Sequence, residues 1–316
     1  TDPVLVRSVD QLSYNATFSD DLKLDKHVFV IYQENPENPG TPYWVGKGGK
    51  AYCSFGGNNN SFTLSGLSDS VSNINFNNCT NSLPDGRYVI VNRVHDAVDK
   101  FTSSYDLTFI IDSSAPQINF EQPAAGQILS GDILLKALCN ETCDYINFWW
   151  REDSEIFSSA SKRYHYIYDN DTEFEWTFNT PQATKWDGSL DNIEDGTYHF
   201  YAAGKDLAGN WARTEYVAIE VDNSIPVIEL TNPDDDSFLQ GNVEIRGTVQ
   251  DSRPHHYWLA IYRLSDNQQV YSTVVNHSNT FTDQLLYDWN TSLESEGEYR
   301  IKFAERDAAR SEERRV

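Results

Sequence analysis

Five aspartates recur at fixed places in this chain and raise the first chemical question. Asp96, Asp206 and Asp307 each lie eight positions after a tyrosine, and Asp112 and Asp222 each end an apolar run just before a proline-containing segment. Carboxylates are hard oxygen donors, and Ca²⁺ collects about six to eight oxygens from carboxylates, carbonyls and water. If the loop aspartates converge with those that end the runs, calcium is the expected ligand. The competing role is turn capping, in which an aspartate accepts hydrogen bonds from its own neighbouring backbone. Further oxygen clusters stand at Asp234, Asp235 and Asp236 and around Asp169 and Asp171, and none has the spacing of an EF-hand loop.

Aromatic residues offer a second chemistry. Trp149, Trp150, Tyr164, Tyr166 and Tyr168 crowd one part of the chain, and an exposed row of rings stacks against sugars. Side chains alternate along a strand, so Trp149 and Trp150 point to opposite faces and one of them belongs to a core. Tyr164, Tyr166 and Tyr168 share a face by the same rule. Core packing competes with carbohydrate binding for all five. The four cysteines are Cys53, Cys79, Cys139 and Cys143. Their grouping suits two local disulfides formed in an oxidising compartment, with buried thiols as the other reading. A lone Cys-x3-Cys is too few ligands for zinc.

No catalytic group is expected. The seven histidines have no metal-binding spacing, no Gly-x-Ser-x-Gly occurs, and the glycines around Gly46 and Gly48 miss the phosphate-loop pattern. With 48 acidic residues against 24 basic ones, the formal charge is −24. Such a surface repels nucleic acid and anionic lipid, which need basic partners. No apolar run reaches the length of a membrane span.

These residues must be positioned by strands. Period-two alternation dominates, for example over residues 87–94, 198–204 and 299–305, and no long stretch has helical period. The turn signal Asp85-Gly86-Arg87-Tyr88 returns as Asp195-Gly196-Thr197-Tyr198 and as Glu296-Gly297-Glu298-Tyr299, at spacings of 110 and 101 residues. A repeat of that length means an array of domains. The chain divides into three units, 1–112, 113–222 and 223–316, each with about seven short strands, which predicts two-sheet sandwiches. The acidic residues of these turns are expected to bond their own turn, with the tyrosines as structural corners. The opening Thr1-Asp2-Pro3-Val4 reads like the junction segments at Pro116 and Pro226. The third unit runs out before a last strand, so the chain is expected to be a segment of a longer array, with strand donation by a partner as the alternative.

The chain resembles tandem bacterial immunoglobulin-like domains of prokaryotic surface proteins. The resemblance rests on the Asp-Gly-x-Tyr turns, on Asp206-Leu207-Ala208-Gly209-Asn210, and on Val221-Asp222-Asn223-Ser224-Ile225-Pro226. Trp186-Asp187-Gly188-Ser189-Leu190 and Trp289-Asn290-Thr291-Ser292-Leu293 agree with it. It implies an all-β array of three immunoglobulin-like sandwiches and an extracellular structural or adhesive scaffold. Its partners would be other surface proteins or glycans, with self-association through the third unit. The first unit departs at Asp96-Ala97-Val98-Asp99-Lys100, which lacks the Ala-Gly-Asn turn.

Overall fold

The computed structural model describes residues 4–6, 13–19, 24–42, 51–55, 62–63, 68–75, 83–309 apart from 97, 99, 162 and 181, and 314–315. Among these the chain is strand, turn and two single-turn 3₁₀ helices, Ser159–Ser161 and Thr291–Leu293. Among the described residues no helix is long and apolar enough to cross a membrane. Among the described residues, strand pairing stays within 1–112, 113–222 or 223–316.

In the first unit, β1 (Val4–Val6), β3 (Leu24–Gln33), β4 (Ala51–Phe55), β5 (Phe62–Thr63), β7 (Gly86–Asp96) and β8 (Phe101–Ile111) form one sheet. Between them in sequence, β2 (Ser13–Ser19) and β6 (Ser68–Asn75) pair as another. β1 lies parallel to β8, with Val6 opposite Ile111.

The second unit comprises β9 (Ile118–Gln122), β10 (Ile128–Leu129), β11 (Asp132–Glu152), β12 (Tyr164–Ile167), β13 (Asp171–Asn179), β14 (Gln182–Thr184) and β15 (Leu190–Asn192). It closes with β16 (Gly196–Asp206), β17 (Trp211–Arg213) and β18 (Val217–Val221). The 21-residue β11 organises it. Its first half pairs with β9 and β13, and its second half with β12 and β16. Register shifts near Cys143 mark the corner between the layers, and the Cys139–Cys143 disulfide spans it. Leu135, Ala137, Phe174 and Phe178 from one layer pack on Phe148, Trp150, Phe200 and Ile219 from the other.

The third unit repeats the plan with β19 (Val227–Asn232), β20 (Asn242–Gln250), β21 (Pro254–Arg263), β22 (Gln268–Asn276), β23 (Phe281–Asn290), β24 (Tyr299–Asp307) and β25 (Arg314–Arg315). β19-β20-β23 face β22-β21-β24-β25. Ile228, Ile245, Val249 and Trp289 meet Tyr257, Leu259, Ile261 and Phe303 between them. The fold is all-β, in tandem sandwiches.

Several expectations need correction in detail. Val4–Val6 does not correspond to the Pro116 segment. Its pairing with β8 matches that of β10 with β18, and the N–H of Asp112 donates to Val6 O as that of Asp222 donates to Leu129 O, both at 3.0 Å. β25 pairs with β24 at Ala304 and Arg315 as β17 pairs with β16 at Ala203 and Arg213, so the third unit has a counterpart of β17. A counterpart of β18 is not among the described residues. Phe238 and Leu239, which stand 110 residues after the β18-paired Ile128 and Leu129, are exposed, Phe238 fully so. The Cys53–Cys79 pairing lies outside the described residues.

The tyrosine corners have the expected geometry. The hydroxyls of Tyr88 and Tyr299 donate to Pro84 O and Ser295 O, both at 2.7 Å. In the middle unit the direction reverses, and the N–H of Glu194 donates to Tyr198 Oη at 3.2 Å. Gly86, Gly196 and Gly297 before them have φ of 152°, 155° and 152°, a region that side chains disfavour. The acidic residues of these turns act differently from the expectation. Asp85 does not bond its own turn but accepts from Ser113 N, Ser113 Oγ and Ser114 Oγ at 2.7–2.9 Å. Asp195 likewise takes Asn223 N at 2.7 Å and the Ser224 hydroxyl. The first and second units thereby each clasp the linker that leaves them.

Candidate functional site at the unit junctions

Asp112 follows the last strand of the first unit, and Asp206 ends β16 of the second. The turn after β16 folds back on the junction. Asp206 accepts from Asn210 N and Asn210 Nδ2, both at 2.8 Å, and the same Nδ2 donates to Asp112 O at 2.8 Å. Asn210 thus ties the Asp-x-Ala-Gly-Asn turn of one unit to the end of the preceding one. The linker is held from the other side as well, since Gln117 N donates to Asn140 Oδ1 and Asn140 N to Gln117 O at 2.8 and 3.0 Å.

The residue after Asn140 completes the cluster. Asp112, Glu141 and Asp206 each bring a carboxylate oxygen, and these atoms all lie within 4.8 Å of one another. Asp206 is buried and the other two are half-buried. No lysine, arginine or histidine pairs with any of them among the described residues. Burial pushes the Asp112 carboxyl up from its ordinary value, against the Ser114 N–H that stabilises its charge, and the Asp206 charge adds to the rise. Glu141 is raised by burial first, then by Asp112 and Asp206. Three carboxylates held this close repel one another, and an added cation relieves that repulsion.

The second junction is built from the same parts. Asp222 accepts from Ser224 N at 3.1 Å, as Asp112 does from Ser114 N. Burial raises its carboxyl, and the charges of Asp195 and Asp251 contribute. Asp251 stands 29 residues after Asp222, the offset of Glu141 from Asp112. Both Asp251 carboxylate oxygens are shielded from solvent and have no hydrogen-bond partner among the described residues. Asp307 is buried at the end of β24. Arg253 pairs with Glu220 across this junction, and Ser130 Oγ donates to Ala309 O at 3.3 Å.

Of the five aspartates singled out by sequence, Asp112 and Asp206 therefore meet, Asp222 sits at the equivalent junction, and Asp307 occupies the position equivalent to Asp206. Asp96 joins no such cluster among the described residues. Its Oδ1 accepts from Val98 N and Lys100 N at 2.9 and 2.8 Å, which is the turn-capping role. Glu141 was not among the expected ligands. Its signal was the 110-residue interval to Asp251, hidden because the two residues differ in type.

The aromatic candidates divide by face. Trp149, Tyr164, Tyr166 and Tyr168 lie on the outer face of the β12-β11-β16 layer, with Tyr168 61% exposed. Trp150 does not belong with them. It is 1% exposed, packs on Trp176 and Phe178, and its Nε1–H donates to Asp191 Oδ2 at 3.0 Å. Alternation along β11 put one tryptophan on each side, and the inner one became core.

No family model matches the chain, and no curated protein matches it. Among solved structures, a tetra-tandem repeat in the extending region of a large adhesion protein is 12% identical, covers 99% of this chain and 72% of its own, and has a TM-score of 0.28. The Clostridium thermocellum CbhA fibronectin(III)-like modules are 16% identical over 63% of this chain and 92% of theirs, TM-score 0.34. The chicken CNTN1 FN1-FN3 domains are 8% identical over 99% and 97%, TM-score 0.29.

Proposed function

We propose that this chain is a spacer segment of an extracellular prokaryotic surface protein, whose sandwiches are held in register at their junctions by bound calcium. The observation that carries the reading is the Asp112–Glu141–Asp206 cluster, which draws ligands from both sides of a unit boundary. A divalent cation there gains three carboxylates, and neighbouring carbonyls and water complete the shell that Ca²⁺ prefers. Binding would couple the turn after β16 to the end of β8, so orientation between units becomes part of the binding free energy. The linker clasps of Asp85 and Asp195 support the same mechanical role without a metal.

The test is a melting curve with calcium and with chelator, alongside calorimetric titration of the chelated chain. At free calcium a hundredfold above Kd, binding stabilises by about 2.7 kcal/mol. For a unit of this size that lowers the midpoint by roughly 10 °C on chelation. Glu141→Gln should remove most of the shift at the first junction. No binding heat together with an unchanged midpoint would sink the calcium reading, and the clasped spacer would then stand without it.

A further inference from the structure

The outer face of the second sandwich carries an aromatic surface far larger than the five candidates suggested. A continuous path of rings runs Tyr168, Tyr166, Tyr164, Trp149, Tyr201, Tyr216, with successive centroids 5.4, 5.6, 4.3, 5.7 and 5.7 Å apart. It crosses β12, β11 and β16 and ends on the turn after β17. Trp186 flanks one end, 4.8 Å from Tyr166, and Phe157 the other, 4.6 Å from Tyr201. Tyr168, Trp186, Trp211 and Tyr216 remain 47–61% exposed. The buried cluster beneath this layer is built from other side chains, Phe148, Trp150, Phe200 and Ala202 among them.

Its charge is the second observation. The outward positions of β11 from 145 to 151, of β16 from 199 to 205 and of β17 include Arg151, Lys205 and Arg213 and no carboxylate. In a chain with twice as many acidic as basic residues, none of these three has an acidic partner among the described residues. Arg213 lies 5.7 Å over Tyr201 and 5.2 Å over Tyr216 and donates to Tyr216 Oη, while Arg151 lies 5.1 Å over Phe157. Acidic groups border the face: Asp144 beside Tyr145, Asp153 paired to His199, Glu215 beside Arg213, and Asp169 and Asp187 next in sequence to Tyr168 and Trp186.

We propose that this face binds an acidic polysaccharide. Flat rings match the C–H faces of pyranose units, their hydroxyl edges match sugar hydroxyls, and the three unpaired cations match carboxylate or sulfate groups along the chain. The chain's net negative charge does not forbid an anionic ligand, because the screening length at physiological ionic strength is about 8 Å and the local cations act within it.

The proposal is tested on the intact chain by tryptophan fluorescence and affinity electrophoresis. The probes are polygalacturonate for carboxylates, dextran sulfate for sulfates, and a cellulose oligosaccharide as the neutral control. Expected is salt-sensitive binding of one or both anionic chains, at least tenfold tighter than the neutral one. Arg213→Gln and Tyr168→Ser, both at exposed positions, should each weaken it several-fold with an unchanged melting midpoint. Equal binding of the neutral oligosaccharide, binding unaffected by either substitution, or no binding of any polysaccharide would overturn the proposal. So would tighter binding of oligo-dT or a proline-rich peptide, which use aromatic surfaces in other ways.

Discussion

At the scale of single residues, burial decides which chemistry each group retains. Asp191 is buried yet serves three partners: Trp150 Nε1, Arg163 at 2.7 Å and Lys185 at 3.2 Å. A carboxylate so placed is tolerated because its oxygens are all claimed. His165 illustrates the opposite balance. It stacks on Trp176 with centroids 4.4 Å apart, and burial pushes its pKa below 6.5. The unfolded chain therefore binds a proton near pH 6.5 that the folded chain refuses, so stability falls as pH drops below that value. His165→Phe keeps the stacking and should remove this part of the acid sensitivity. Urea midpoints at pH 7.5 and pH 5 check it: the loss on acidification should be smaller in the variant, and an equal loss would assign the sensitivity elsewhere.

At the scale of elements, β11 and β16 carry both candidate surfaces, and their close approach is set by a glycine. A Cβ on Gly204 would stand 2.3 Å from Tyr145 O and 2.6 Å from Ile146 Cδ1. Those neighbours are strand backbone and a buried side chain, so neither can yield cheaply. Gly204→Ala should cost about 1–3 kcal/mol by overpacking, visible as a lower urea midpoint, and should shift the near-ultraviolet signal of the aromatic face that Tyr145 adjoins. A variant as stable as the parent would mean that the two strands have slack here. The same pairing explains why the two tryptophans of β11 have different fates. Gly204 and Ala202 leave room on the inner side beside Phe148, whereas Tyr201 on the outer side offers Trp149 a ring to stack on.

At the scale of the whole chain, the linker clasp is built twice from equivalent contacts. Asp85 and Asp195 are related by the 110-residue repeat and clasp equivalent linker residues. Serine hydroxyl bonds hold the Asp85 carboxyl below its ordinary value. Asp85→Ala removes an acceptor that takes three hydrogen bonds, and should loosen the first junction without unfolding either neighbour. Small-angle scattering or a label pair across residue 112 would register a broader range of distances between units. An unchanged distribution would show that Asn210 and the carboxylate cluster hold the junction alone.

Much of this is legible in the amino-acid sequence. Alternation at period two is local physics, and it yields strands; the recurrent Asp-Gly-x-Tyr turn marks unit length because each sandwich needs that corner; the tyrosine role follows from its place at the strand start. What the chain alone left open were questions of side and of partner. Period two states that Trp149 and Trp150 oppose each other, but only the packing of two layers says which one is inside. The turn acid of Asp85 is close in sequence to its own backbone and close in space to a linker 28 residues away, and the fold chose the latter. Glu141 became a candidate ligand only because β11 bends at Cys139–Cys143 and brings it beside two aspartates, one from each side of the junction. For the five aspartates that first suggested calcium, spacing supplied the oxygen donors. Convergence came from tertiary structure, since a cation site requires atoms within a few ångströms that the chain itself separates by tens of residues.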